Sequence, residues 1–165
     1  MQGFCAKCRL DIPLTDFAYF EENPVKEHLD GLARIEQASA FIYYNRNSHW
    51  QRAIHRFKYQ GFWRIGYNLA RWYGTSLKDS GLYDDVDMVL PIPLHYVKLF
   101  NRGYNQSTYI AEGIAKELGV KYSSHLLRRV RNNPSQARNS GNDRWRNAES
   151  LFGVRNREAL KGKHI

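Results

Sequence analysis

The sequence predicts an α/β fold, and two of its features carry the prediction. Residues 86–90 form a short apolar run, then a polar, proline-punctuated loop, then a helical stretch with Ile110, Ala111, Ile114, Ala115 and Leu118 on one face. Strand, loop, helix is the order in which α/β proteins place a site at the carboxyl end of a strand. Runs rich in β-formers also alternate with stretches of helical periodicity along the whole chain.

In chain order, residues 1–30 read as an irregular, extended appendage broken by Pro13 and Pro24. Residues 38–44 (ASAFIYY) read as a strand. Asn45, Asn47 and Ser48 can turn the chain and cap a helix. Trp50, Ala53, Ile54 and Phe57 then share one helical face up to Gly61, and Ile65, Leu69, Trp72, Tyr73 and Leu77 repeat the pattern up to Gly81. Residues 91–104 are read as loop throughout. Asn105 and Gln106 open the central helix and Gly119 closes it. Residues 120–122, 126–131 and 151–155 read as short strands, and 160–165 as a turn leading into another. Residues 132–147 (NNPSQARNSGNDRWRN) show no periodicity, which predicts a mobile loop.

Composition narrows the function classes. An apolar fraction of 42% is enough for a packed core. No apolar run is long enough to span a bilayer and the start has no signal-peptide core, so a cytoplasmic protein without a membrane partner is expected. The net charge is +9, and residues 128–163 hold ten basic against three acidic side chains. Such a block suits nucleic acid, a polyphosphate ligand or a solvated loop. The two cysteines, Cys5 and Cys8, are half of a tetrahedral zinc site, a redox dithiol, or two reduced thiols. No Ser-His-Asp or Cys-His nucleophile arrangement is evident.

The chemistry concentrates at residues 91–106. The head of the central helix brings free N–H groups and a partial positive charge, both suited to an anion. Arg102 adds a fork of donors matched to phosphate oxygens, and Gly103 allows close backbone approach.

The strings PIPLH (91–95), NRGYNQS (101–107) and IAEGIA (110–115) resemble the signature of ComF-like proteins. These are a branch of the type I phosphoribosyltransferases associated with competence for DNA uptake. HRFKYQG (55–61), LLRRVRNNPSQ (126–136) and DRWRNAESLFGV (143–154) follow the family's order. The resemblance implies a core of mostly parallel sheet flanked by helices over residues 37–165, with residues 1–36 an N-terminal extension. It implies phosphoribosyl transfer from Mg2+-bound phosphoribosyl pyrophosphate to an unknown acceptor. Pro91, Pro93, Leu94, His95, Arg102, Gly103, Asn105 and Gln106 would form the pyrophosphate loop, with Arg102 as catalytic charge partner. Arg128, Arg129, Arg131, Gln136 and Arg144 would belong to a flexible cover.

The family begins with two C-x-x-C pairs in a zinc ribbon, and this chain matches one, Cys5 and Cys8, so Zn2+ is a further candidate ligand. The family's diphosphoribosyl-binding loop has no counterpart here. Asp84, Asp85 and Asp87 precede their strand and lack the Thr/Gly turn. The resemblance therefore predicts a core shortened at both ends and inactive alone, with activity in an intact parent. Oligomers, single-stranded DNA and competence proteins are further expected partners. The alternative reading is a nucleic-acid-binding accessory factor for DNA uptake.

Overall fold

Small residues let two helices meet at the centre of the molecule. The computed structural model describes residues 4–45, 48–131 and 151–165. Helix α4 (Trp63–Ser80) buries Gly66, Ala70, Gly74 and Leu77 along one stripe. Helix α6 (Gln106–Leu118) buries Gln106, Ala111, Gly113 and Ala115. The backbones approach so closely that a Cβ on Gly113 would lie 2.8 Å from both the Ala70 Cβ and the Tyr67 carbonyl oxygen. A Cβ on Gly74 would lie 3.1 Å from the Ile114 Cα. Gly66 likewise gives its side-chain space to the ring of Phe57, on helix α3 (His49–Tyr59). The Ser48 side chain caps α3 by accepting from the Gln51 N–H at 3.1 Å.

The chain enters α6 from strand β1 (Met88–Val89) through a short helix, α5 (Tyr96–Arg102), and leaves it into strand β2 (Lys121–Tyr122). β1 and β2 pair in parallel, Met88 opposite Lys121 and Val89 opposite Tyr122. Strand β3 (Leu127–Arg129) pairs antiparallel with β4 (Phe152–Val154) in a separate sheet. The described residues thus form the expected mixed α/β fold, but it is mostly helical, with small sheets that include one parallel strand pair in place of a larger, mostly parallel sheet. One reason lies beside β1. Asp84, Asp85 and Asp87 precede it and Pro91 and Pro93 follow, and proline has no N–H to give a ladder.

Three local expectations are corrected. Residues 38–44 are not a strand; they run extended and make one isolated antiparallel bridge, Leu14 to Ile42. Their aromatic content packs on α4 instead, with the Phe41 ring 5.6 Å from Trp72 and 5.0 Å from Tyr73. The N-terminal segment, expected to be irregular, contains helices α1 (Ala6–Leu10) and α2 (Pro24–Leu29) and a 3-10 turn at Phe17–Tyr19. Pro24 starts a helix where a break was expected, because its missing N–H is an orphan at the first position anyway. The Asn23 side chain supplies the cap, accepting from the Val25 and Lys26 N–H groups at 3.0 and 3.3 Å.

The last residues, 160–165, form no strand, but they lie along the entry to β1. The Asp87 N–H donates to the His164 carbonyl at 2.9 Å, and the Asp87 carboxylate accepts from the His164 N–H at 3.0 Å and the Lys163 ammonium at 2.8 Å. The Lys163 bond first, and then the His164 N–H, hold the Asp87 carboxyl below its usual range. A depressed carboxyl pKa contributes stability above the unfolded value and loses it as pH falls through the folded one. Acidification below the ordinary carboxylate range should therefore release this segment first. In Asp87→Asn the release should already be present at neutral pH, read as faster amide exchange at His164. Equal exchange in the two proteins at neutral pH would contradict the assignment.

Candidate functional site: a cationic cleft at the strand ends

A cleft of about 750 Å3 opens beyond the carboxyl ends of β1 and β2. Pro93 and Leu94 come from the segment after β1, Tyr96 and Leu99 from α5, and Tyr104, Asn105, Thr108 and Tyr109 from the head of α6. Ser124 and His125 follow β2, while Leu127, Arg128, Arg129, Val130 and Arg155 belong to the β3–β4 strand pair or its flanks. Among the described residues three guanidinium groups line it and no carboxylate does. The location is the one α/β proteins use for ligands, and the charge selects an anion.

The segment expected to be a continuous loop, 91–104, contains α5. The proline punctuation concealed it. His95 caps the helix by accepting from the Val97 N–H at 3.4 Å. Gly103 ends it at φ 80°, a left-handed conformation that disfavours a side chain. Most α5 amides beyond the first turn are thus engaged. The anion-binding contribution of this segment lies in its side chains and not in a free nest of N–H groups.

The predicted site residues do not stay together. Pro93, Leu94, Asn105, Arg128 and Arg129 line the cleft. Pro91 is buried, His95 is buried as a cap, and Gln106 is buried among the helices. Arg102 turns away from the cleft lining: it donates to the Gln106 Oε1 at 2.9 Å and lies 5.3 Å over the Tyr59 ring. Gln106 passes the tie onward, donating to the Lys58 carbonyl at 2.6 Å. Asn105 accepts from the Ser107 N–H at 3.2 Å and donates to the Ile92 carbonyl at 3.0 Å, fixing the end of the loop against the helix head. Arg131 is exposed outside the lining. Gln136, Arg144 and the expected mobile loop 132–147 lie outside the described residues.

The cations here are under-compensated. Among the described residues no ion pair engages Lys98, Arg102, Arg128, Arg129 or Arg155. Desolvation, and then the positive charges of Arg129 and Arg102, hold the Lys98 ammonium below its usual range. The Arg129 Nε is buried and has no hydrogen-bond partner among the described residues. A buried unpaired donor costs free energy that an anion would recover.

Sequence reasoning missed Tyr96, Leu99, Tyr104, Thr108, Tyr109, Ser124, His125 and Arg155 as lining. Only the crossover through α5 and α6 brings them to one place. Ser124 and His125 carried one usable signal, since they follow the strand that pairs with β1.

Cys5 and Cys8 are both free and exposed. Cys5 caps α1, its Sγ accepting from the Cys8 N–H at 3.5 Å, and that bond lowers the Cys5 thiol pKa. Among the described residues no group of three or more His, Cys, Asp or Glu side chains is placed to hold a metal ion. None of the described helices is long and apolar enough to cross a membrane.

Fold and site describe a mixed α/β chain with a cationic cleft beyond a parallel strand pair. The chain is distantly similar to competence protein F of Haemophilus influenzae, 26% identical over 104 residues. The match takes in 61% of this chain and 45% of that protein, so it spans less than half of the relative's length. Neither a protein-family profile nor a solved structure matches the chain.

Proposed function

We propose that this is a phosphoribosyltransferase-like, competence-associated protein whose cleft takes the pyrophosphate group of phosphoribosyl pyrophosphate. The observation that carries the reading is the cleft with Arg128, Arg129 and Arg155 on its wall, where none of the described lining residues is a carboxylate. The motifs at 91–107 and the likeness to competence protein F support it. Breaking the bond between ribose C1 and pyrophosphate builds negative charge on the leaving group. Guanidinium groups fixed before the reaction stabilise that charge without reorganisation. Asn105 and Thr108 at the head of α6 offer neutral polar groups beside them. In this reading the ion enters as part of the substrate, carried on pyrophosphate oxygens.

The test is a calorimetric titration of the full chain with Mg2+-pyrophosphate and with Mg2+-phosphoribosyl pyrophosphate. Saturable binding of both is expected. Absence of binding by either would remove the reading.

A second reading, a nucleic-acid-binding accessory factor, has its own observation. Exposed Tyr59, Phe62 and Trp63 each lie under a guanidinium, from Arg102, Arg56 and Arg64, at 5.3, 5.8 and 5.3 Å. Aromatic faces interleaved with arginine suit single-stranded DNA. Steeply salt-dependent oligonucleotide binding, insensitive to pyrophosphate and lost in Tyr59→Ser/Phe62→Ser, would favour it.

A further inference from the structure

A second cavity, of about 120 Å3, lies where α1 meets α4 and the far end of α6. That volume is well above the ~10–15 Å3 that a single water requires. Asn105 at the cleft and Glu117 at this cavity stand at opposite ends of α6, roughly 18 Å apart at 1.5 Å per residue. The two sites share no lining residue.

We propose that this cavity binds a small zwitterion of the α-amino-acid class, its carboxylate on Arg9 and Arg71 and its ammonium on Glu117. Arg71 spends one N–H on the pair with Glu117, Nε to Oε1 at 2.5 Å. Among the described residues its remaining N–H groups have no hydrogen-bond partner, and neither has the Asn68 amide. The Arg9 guanidinium makes no ion pair there and lies 5.9 Å over the Trp72 ring. Two forks thus face one cavity, and a guanidinium fork matches a carboxylate with two parallel bonds. Trp72 and Phe4 add an apolar wall for a side chain.

Mixed charge sets the ligand class. A simple dianion would meet the Glu117 carboxylate, and a simple cation would meet two guanidinium groups. A molecule carrying an ammonium and a carboxylate on one carbon satisfies both. The half-buried Arg71–Glu117 pair, with side chains 38% and 23% exposed, is sheltered enough for such contacts to outweigh salt screening.

The experiment is calorimetric titration of the full chain with four separate probes: L-valine, acetate, isobutylamine and inorganic phosphate. L-Valine should saturate one site per chain, and each of the other three should compete for that site at least about ten-fold more weakly. Arg71 and Glu117 join α4 to α6, so their variants can fail by unfolding. Arg9→Ala, on the exposed side of α1, should keep its far-UV spectrum and lose L-valine affinity by about ten-fold or more. Whereas an anion held in the cleft leaves L-valine in place, acetate or phosphate displacing bound L-valine at comparable concentration would overturn the proposal. So would the absence of saturable L-valine binding at millimolar concentration, or undiminished affinity in a folded Arg9→Ala. Pyrophosphate binding in the cleft is measured separately and can succeed or fail without affecting this outcome.

Discussion

Replacing Gly113 with leucine should cost about 3 kcal/mol or more and lower the melting temperature by roughly 10 °C. The first added atom, Cβ, already meets the Ala70 Cβ and the Tyr67 carbonyl oxygen at 2.8 Å and the Arg71 N at 3.2 Å. Two of those three neighbours are backbone, so no rotamer change relieves the clash. The helices must separate, and separation removes the burial of Ala70, Ala111 and Ala115 together. Because α6 also presents Asn105, Thr108 and Tyr109 to the cleft, ligand binding should weaken along with stability. Glu112→Leu, one residue away on the exposed side, is the control and should shift stability by no more than about 0.5 kcal/mol. Thermal unfolding followed by circular dichroism reads both. A Gly113→Leu protein melting with its parent would refute the close approach of α4 and α6.

The double substitution Arg128→Ala/Arg129→Ala should weaken pyrophosphate binding by about a hundred-fold or more. The estimate takes one charge-assisted bond per guanidinium, each of about 1.5–3 kcal/mol, at a factor of ten per 1.4 kcal/mol. The loss should shrink as salt rises, since part of it is long-range attraction that ions screen. Stability should change little. The β3–β4 ladder is made by main-chain groups, and removing Arg129 also removes a buried Nε that has no partner. Calorimetry on a variant with an unchanged spectrum gives the comparison. Pyrophosphate affinity equal to that of the parent would separate the cleft from the proposed reaction. Arg102→Ala makes an instructive contrast. Its guanidinium is engaged by Gln106 and Tyr59, so the variant tests the tie between α3 and α6 as well as the charge.

The legible parts of the fold were those governed by local rules. Helical periodicity at Trp50–Phe57 and Ile65–Leu77 marked α3 and α4, and the run after Asn105 marked α6. Ser48 and Asn105 cap helices where expected, and Gly119 closes α6. Where a second physical effect competed, reading failed. Pro91 and Pro93 argued for loop and hid α5, whose signals are a capping histidine, His95, and a closing glycine, Gly103, eight positions apart. The β-formers at 38–44 argued for a strand, yet Phe41 is there to pack on Trp72 and Tyr73. In the candidate site, Pro93, Leu94, Asn105, Arg128 and Arg129 were legible through motif and charge. The Arg102–Gln106–Lys58 relay was not, because it joins residues 48 positions apart in sequence.

From the sequence alone came the excess of positive charge, the strand–helix–strand order around α6, and the phosphate-suited motif at its head. These follow from composition and from periodicities a few residues long. Tertiary structure decided which cations share a cleft, which way Arg102 turns, and that Gly66, Gly74 and Gly113 are contact surfaces and not breaks. Those outcomes depend on distances between segments far apart in the chain, and such distances are set only when packing brings the helices together.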